Sequence, residues 1–503
     1  MSLLLKKTTS PLRTQVVFVQ VHKRFKKTKT PKVPNTKRAL DYFDVAYPPV
    51  YGSRWPSVRL ALLSKPKYIS VVNTFGEYKS TIQKLEELGA MDIRPRYNAG
   101  VEQLKGRMQK LNNQILTSTE NEDQAIKSEL PEVIRPSLAQ LDDDELAARA
   151  AKKEMERYPD EYRQRAQAYG NSLDELDVDF SNRVIKSSQV GTEAALLMDY
   201  VPSTKLKGLE NWIEEADVFR HASQEDSDIG MKKEMQEEPL QLPEMLRIYY
   251  FLKGDISDFP HPRSDGVVGV LDHYVLDGAS LLPVLALDVQ PDEKILDMCA
   301  APGGKSFIAL QTWLPRLLVC NDLKLSRVKR VHQVINQYVP KSLTSIREKV
   351  AVTMENGCEF PEKDTYDKVL VDVPCLTDRH SLEESDNNIF AVVRIKERLT
   401  LPEIQSQLLV SALQAVRPGG CVVYSTCTLS PLQNDGAVHL ALSKIWQETT
   451  IEYSVVDLTY AVQPLSFLYR FGRNLGLRYG QVVLPSLSNN FGPMYICKIK
   501  RLR

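Results

Sequence analysis

At 503 residues the chain has room for roughly two to four domains, and 43% hydrophobic and 26% charged residues with a net charge of +1 describe an ordinary globular protein. Seven scattered cysteines, with no C-x-x-C pair and no cysteine–histidine cluster at zinc spacing, exclude a disulfide framework and argue against a structural metal. No apolar run reaches the ~18 residues of a membrane span, so no membrane partner is expected.

The near-zero charge hides an asymmetry. Residues 120–240 carry 29 acidic and 15 basic side chains, and the rest of the chain carries 50 basic and 35 acidic ones. A basic body suits a polyanion, because Lys and Arg replace the counterions around phosphates; charge alone favours the alternative, a plain solvated surface. The chain divides into four segments. Residues 1–38 form a leader, since the first forty residues hold eleven Lys/Arg and no Asp or Glu. That is the composition of a mitochondrial transit peptide, with a basic RNA-binding arm or a nuclear signal as the alternative. Residues 39–118 form a compact mixed segment with a helical "STIQKLEELGA". Residues 119–240 form an acidic insert, helical by propensity in stretches such as "DDDELAARAAKKEMERY" and disordered in others. Residues 241–503 alternate apolar strands with amphipathic helices.

In that last segment the expected strands are "KILDMC", "RLLVCND", "KVAVT", "KVLVDV", "GCVVYST" and "MYICKIK". Helical patterns intervene at "GKSFIALQTWL", "SRVKRVHQVINQYV" and "IKERLTLPEIQSQLLVSALQAV". Short apolar strands separated by helices predict an α/β fold with a mostly parallel sheet; the last strand follows a loop and is expected to join antiparallel.

"LDMCAAPGGKS" follows the first of these strands and opens a helix. Its glycines let the backbone approach a ligand at a helix N-terminus. It is not a P-loop, which would need glycine where Cys299 stands, and G-x-G-x-x-G is absent. Asp297 closes this strand and Asp322 the next, and a carboxylate at that edge suits ribose hydroxyls. The arrangement resembles doubly wound S-adenosylmethionine-dependent methyltransferases, a generic glycine-rich turn being the alternative.

Two cysteines reach the same carboxyl edge. "VLVDV" delivers Asp372, Pro374 and Cys375, and "CVVYST" delivers Cys427, 52 residues after Cys375. Free cysteines often simply pack, as expected for Cys299, Cys320, Cys358, Cys421 and Cys497, with Cys299 also placed to line the glycine turn. Two thiols in a ligand crevice suit cytosine chemistry instead. C5 of cytosine is a poor nucleophile, and a thiolate adding to C6 makes an enamine nucleophilic at C5. The thiol pKa must then be lowered, with Lys305 as the nearby cation, and a carboxyl, Asp372, must reach the pyrimidine edge.

"DMCAAPGGK", "VDVPC" and "YSTCTLSPLQND", in this order, resemble the Nop/Sun-domain RNA cytosine-5 methyltransferases. "DVPCLTDRHSL", "LDGASLLPVLAL", "NFGPMYICKIKR" and "WPSVRLALLS" are similar to the mitochondrial ribosomal RNA branch of that family. The resemblance implies a seven-stranded sheet with an antiparallel last strand and S-adenosyl-L-methionine as cofactor. It makes Cys427 the nucleophile and Cys375 the thiol that assists product release, and it puts Asp372 on cofactor and base. Cys299, Ala300, Ala301, Pro302, Gly303, Gly304 and Lys305 would cradle the cofactor's methionine part. Asp322 would take the ribose with Arg327 beside it, and Asn356 and Gly357 would stand at the adenine. Relatives have aspartate at the position of Asn356, and Ser-Gly where Leu376 and Thr377 follow Cys375. The implied setting is the mitochondrial matrix and the implied substrate mitochondrial rRNA of an assembling ribosomal subunit. The implied partner is a helical-repeat protein of the mitochondrial transcription-termination-factor family, as no RNP pattern marks an added RNA-binding domain. A tRNA substrate and an assembly-scaffold role are the competing readings.

Overall fold

A computed structural model describes residues 33–120, 232–264, 266 and 268–503. Most of the leader and almost the whole acidic insert therefore lie outside the described residues. Glu102–Glu214 separates as a compact unit from Met1–Val101 with Glu215–Arg503, and the larger unit holds both sheets.

Helices α1 (Asn35–Ala46) and α2 (Trp55–Leu62) lead into β1 (Tyr68–Val72), α3 (Lys79–Glu87), β2 (Met91–Asp92) and α4 (Ile93–Glu120). From residue 232 onward come β3 (Lys232–Met235), β4 (Ile248–Tyr250), β5 (His273–Asp277) and α5 (Leu281–Leu287). The alternating part begins with β6 (Lys294–Asp297), α6 (Gly304–Gln311), β7 (Leu317–Asn321), α7 (Leu325–Tyr338), β8 (Val350–Thr353) and β9 (Tyr366–Asp372). It continues through α8 (Asp378–Glu383), α9 (Ile395–Ala415), β10 (Val416–Thr426), α10 (Ala437–Glu448), β11 (Tyr453–Asp457), β12 (Gln481–Val483) and β13 (Met494–Arg501).

The large sheet runs β3-β11-β13-β10-β9-β6-β7-β8, with β12 paired to β13. Strands β6 to β10 are parallel, whereas β13 lies antiparallel between β10 and β11. This is the expected doubly wound sheet with its antiparallel last strand, widened by β3 and β12. Strand β3 comes from residues expected to end the acidic insert, and β11, in "IEYSVVD", lies outside the six expected strands. The central strands read as unbroken apolar runs because both faces are covered. Ile295, Leu370 and Val423 enter the core on one face, and Leu296, Val369, Val371, Val422 and Tyr424 the core on the other. That alternation is the two-residue period of a strand.

A second, antiparallel sheet, β2-β4-β1-β5, draws its strands from both sides of the insert. The N-terminal segment is thus woven into the same unit. Phe43 of α1 sits edge-on to Phe390, with ring centroids 5.3 Å apart, in the core that also holds Val371 and Tyr424. Strand order reverses at β6, flanked by β7 on one side and β9 on the other, which opens a crevice at the carboxyl ends of β6, β7, β9 and β10.

Candidate active site

The β6–α6 turn forms one wall of the crevice. Asp297 is buried at the end of β6, and its Oδ2 accepts a 2.5 Å hydrogen bond from Ser306. Burial pushes its pKa up to about 7, against the opposing hydrogen bond from Ser306. Its Oδ1 is buried without a hydrogen-bond partner among the described residues, so an acceptor stands ready for a ligand donor. Gly303 holds φ at 110°, which a side chain would strain, and a Cβ on Gly304 would stand 3.2 Å from the Tyr274 ring. Asp322, at the end of β7, accepts 2.8 Å from Arg327 Nε, and Arg327 also donates to the Ala301 carbonyl at 2.9 Å. The two residues expected at the ribose are therefore tied to the cradle itself. Asn356 is exposed beyond β8, its Oδ1 capping the Cys358 amide at 3.2 Å, and Gly357 lies against Leu408 and Met298. Ala300, Ala301 and Cys299 complete the turn, Cys299 half-buried with its thiol pKa pushed well up by desolvation and by Asp322 and Asp297. An orphaned acceptor, a glycine cradle too tight for side chains and a carboxylate at the next strand end fit S-adenosylmethionine.

The opposite wall carries the thiols. Cys375 Sγ lies 3.3 Å from Cys427 Sγ, and both cysteines are free. Asp372 Oδ2 accepts from Lys305 Nζ at 2.7 Å, and Oδ1 accepts from Ser425 at 2.8 Å. Lys305 thus reaches from the cofactor turn across to the β9 carboxylate. Burial disfavours its charge, yet Asp372 in direct contact, with Cys427 and Asp297, outweighs that and holds its pKa above the ordinary lysine value.

The expected lowering of the Cys427 pKa is not observed. Its thiol is held well above the usual value, first by the hydrogen bond with Cys375, then by burial and by Asp372; Lys305 opposes this. A thiol that shares a proton with a neighbouring sulfur resists becoming an anion, which pattern reasoning on single cysteines does not see. The structure brings Cys427, Cys375, Asp372 and Lys305 together as the motifs imply, and puts the 299–305 turn, Asp322 and Arg327 along the adjoining wall. The motifs assign no role to Ser425, Gln405 and Gln433. Gln405 Nε2 donates to the Pro374 carbonyl at 2.8 Å, and Gln433 Oε1 accepts from the Leu376 amide at 3.1 Å. A polar residue inside an apolar helical stripe, such as Gln405, is the available sequence signal.

A model of the 16S rRNA methyltransferase RsmB/F family matches residues 284–499. The 5-cytosine rRNA methyltransferase NSUN4 of Xenopus tropicalis is 35% identical over 490 residues, covering 95% of this chain and 94% of its own. The Caenorhabditis elegans 5-cytosine rRNA methyltransferase nsun-4 is 35% identical over 492 residues, 96% of each chain. A mitochondrial tRNA (cytosine(34)-C(5))-methyltransferase from Danio rerio is 42% identical over 236 residues, 46% of this chain and 61% of its own. With the matching sheet and cofactor turn, these likenesses show that the chain belongs to the RsmB/F family of S-adenosylmethionine-dependent RNA cytosine-5 methyltransferases.

Proposed function

We propose that the chain methylates C5 of a cytosine in mitochondrial small-subunit rRNA through a covalent bond between Cys427 and C6 of the base. The observation that carries this reading is the 3.3 Å pair of thiols beside the Lys305–Asp372 pair. Within that group Cys427 gives up its proton to solvent, and the Cys427 thiolate adds to C6. Lys305 supplies the positive charge that favours the thiolate. Asp372, oriented by Lys305 and Ser425, meets the pyrimidine edge, where a hydrogen bond stabilises electron density displaced onto the ring. S-adenosylmethionine, held by residues 299–305, Asp297 and Asp322, supplies the methyl group. Loss of the C5 proton, assisted by Cys375, then re-forms the C5–C6 double bond, breaks the C6–sulfur bond and releases the product with Cys427 expelled as thiolate.

The rRNA reading is favoured because the named rRNA enzymes align along nearly the whole chain, N-terminal segment included, whereas the tRNA enzyme aligns along less than half. The acid-free leader supports a mitochondrial address, in the matrix where the substrate lies. A helical-repeat partner of the mitochondrial transcription-termination-factor type would help hold the RNA as the ribosomal subunit assembles. The 1–38, 39–118, 119–240 and 241–503 segmentation stands as a proposal alongside these.

RNA bearing 5-fluorocytosine tests the reading, since fluorine at C5 cannot leave as a proton and the adduct persists. A denaturant-stable adduct with small-subunit rRNA and not with mitochondrial tRNA is the expected result. Adduct on tRNA alone overturns the substrate, and no adduct on either overturns the covalent route.

A further inference from the structure

Cys427 sits on a turn, Thr426 to Ser430, whose backbone is held by side chains from far outside its strand. Asp378, fully buried, bonds the turn twice, at the cysteine and two residues beyond it: its amide donates to the Cys427 carbonyl at 3.3 Å, and its Oδ2 accepts from the Leu429 amide at 2.8 Å. Tyr47, fully buried at the end of α1, donates its hydroxyl to the same Oδ2 at 2.9 Å and lies 3.3 Å from the Thr428 hydroxyl. Tyr51 donates to the Leu429 carbonyl at 2.6 Å. The Tyr47 ring is itself clamped, stacked on Phe43 with centroids 4.9 Å apart and edge-on to Trp55 at 5.2 Å. Thr377, the residue before Asp378, holds φ at 48°, a left-handed conformation that is uncommon for a β-branched side chain. The chain accepts that conformation where it must turn Asp378 under the nucleophile.

We propose that Tyr47 and Asp378 are positioning residues for Cys427, so that the N-terminal helix is a working part of the active site. The proposal rests on Cys427 being the nucleophile. The fit between geometry and chemistry is close: a carboxylate that accepts from Leu429 and Tyr47, and whose own amide grips the Cys427 carbonyl, leaves residues 427–429 little freedom. A displacement of about 1 Å at a reacting atom costs on the order of 10²-fold in rate. A helix packed only for stability would have no need of two buried tyrosine hydroxyls aimed at the turn beside the attacking sulfur, since phenylalanine fills the same space without a polar atom to satisfy.

The test is the single-turnover rate of adduct formation on 5-fluorocytosine RNA, scaled to the fraction of molecules that bind S-adenosylmethionine. Tyr47→Phe and Asp378→Ala are expected to slow that rate by about tenfold or more, with the dissociation constants of cofactor and RNA unchanged within about twofold. Asp378→Asn keeps an acceptor for Leu429 and Tyr47 and is expected to restore most of the rate. A wild-type rate in Tyr47→Phe, a loss explained wholly by fewer cofactor-binding molecules, or an Asp378→Asn rate no better than Asp378→Ala overturns the proposal. Should Asp378→Ala fail to fold, Tyr47→Phe, which removes one oxygen from a retained ring, decides alone. Full activity in Cys427→Ala would instead overturn the nucleophile reading, whatever the behaviour of Tyr47.

Discussion

The turns that carry Cys375 and Cys427 face each other across 3.3 Å, yet they are held in different ways. The Cys375 turn is fastened from within the methyltransferase fold, by Gln405 of α9 on the Pro374 carbonyl and Gln433 on the Leu376 amide. The Cys427 turn is fastened by Tyr47 just past the end of α1, by Tyr51 in the helical turn Pro48–Tyr51 that follows, and from α8 by Asp378. The first set of partners lies within 57 residues of its turn; Tyr47 lies 381 residues from Thr428. Cys375 is therefore held by partners from within the sheet's own fold, while the Cys427 turn, held locally by Asn434 on the Thr428 carbonyl, also takes partners from a segment that joins the fold from the far end of the chain. Asp378, three residues beyond Cys375, links the two turns, so neither moves alone.

The largest effect is expected for Cys427→Ala. Methyl transfer to RNA should fall by more than ~10⁴-fold, as loss of a nucleophile does elsewhere, with cofactor binding intact. Asp372→Asn removes the charged partner of Lys305 and the carboxylate proposed to meet the base, and kcat should drop by about 10²- to 10³-fold. Turnover by Cys375→Ala should be lower by ~10²-fold, with a covalent RNA adduct accumulating on a denaturing gel. The same variant sharpens the comparison through pH. Cys375 is the largest cause of the raised Cys427 pKa, so its removal should move the pH profile of Cys427 alkylation, read by peptide mass spectrometry, to lower pH. An unmoved profile would show that burial, rather than the neighbouring sulfur, keeps Cys427 protonated. The smallest effect belongs to Gln405→Leu, which strips the Pro374 carbonyl of its donor. It should cost about 1–3 kcal/mol in denaturant unfolding and slow turnover only a few-fold.

Much of the catalytic sheet was legible because β6, β7, β9, β10 and β13 are largely buried and read as compact apolar runs, while β8, half-buried at the sheet's edge, still reads as "VAVT". The cofactor turn was legible for a similar reason, since close backbone approach admits glycine at 303 and 304 and few alternatives. β3 was hidden because "KKEM" is exposed and charged and becomes a strand only by pairing with β11. β1 and β4 were hidden because each needs a partner from across the insert. Asp372, Cys375 and Cys427 were readable from strand ends, where periodicity fixes direction, and Lys305 from the glycine turn before its helix, but Tyr47 and Asp378 carry no local mark of what they touch.

By itself the amino-acid sequence determined the doubly wound sheet, the strand ends at which Asp297, Asp322, Asp372, Cys375 and Cys427 stand, and the glycine turn between two of those strands. These come from local rules of period and backbone freedom that act within about ten residues. Tertiary structure alone decided the distance between the two sulfurs, the bridge from Lys305 to Asp372 and the grip of α1 on the Cys427 turn. Each of those joins residues with no sequence relation to one another. Proton sharing, ion pairing and buried hydrogen bonding depend on separations of a few ångströms, which exist only once the chain has closed.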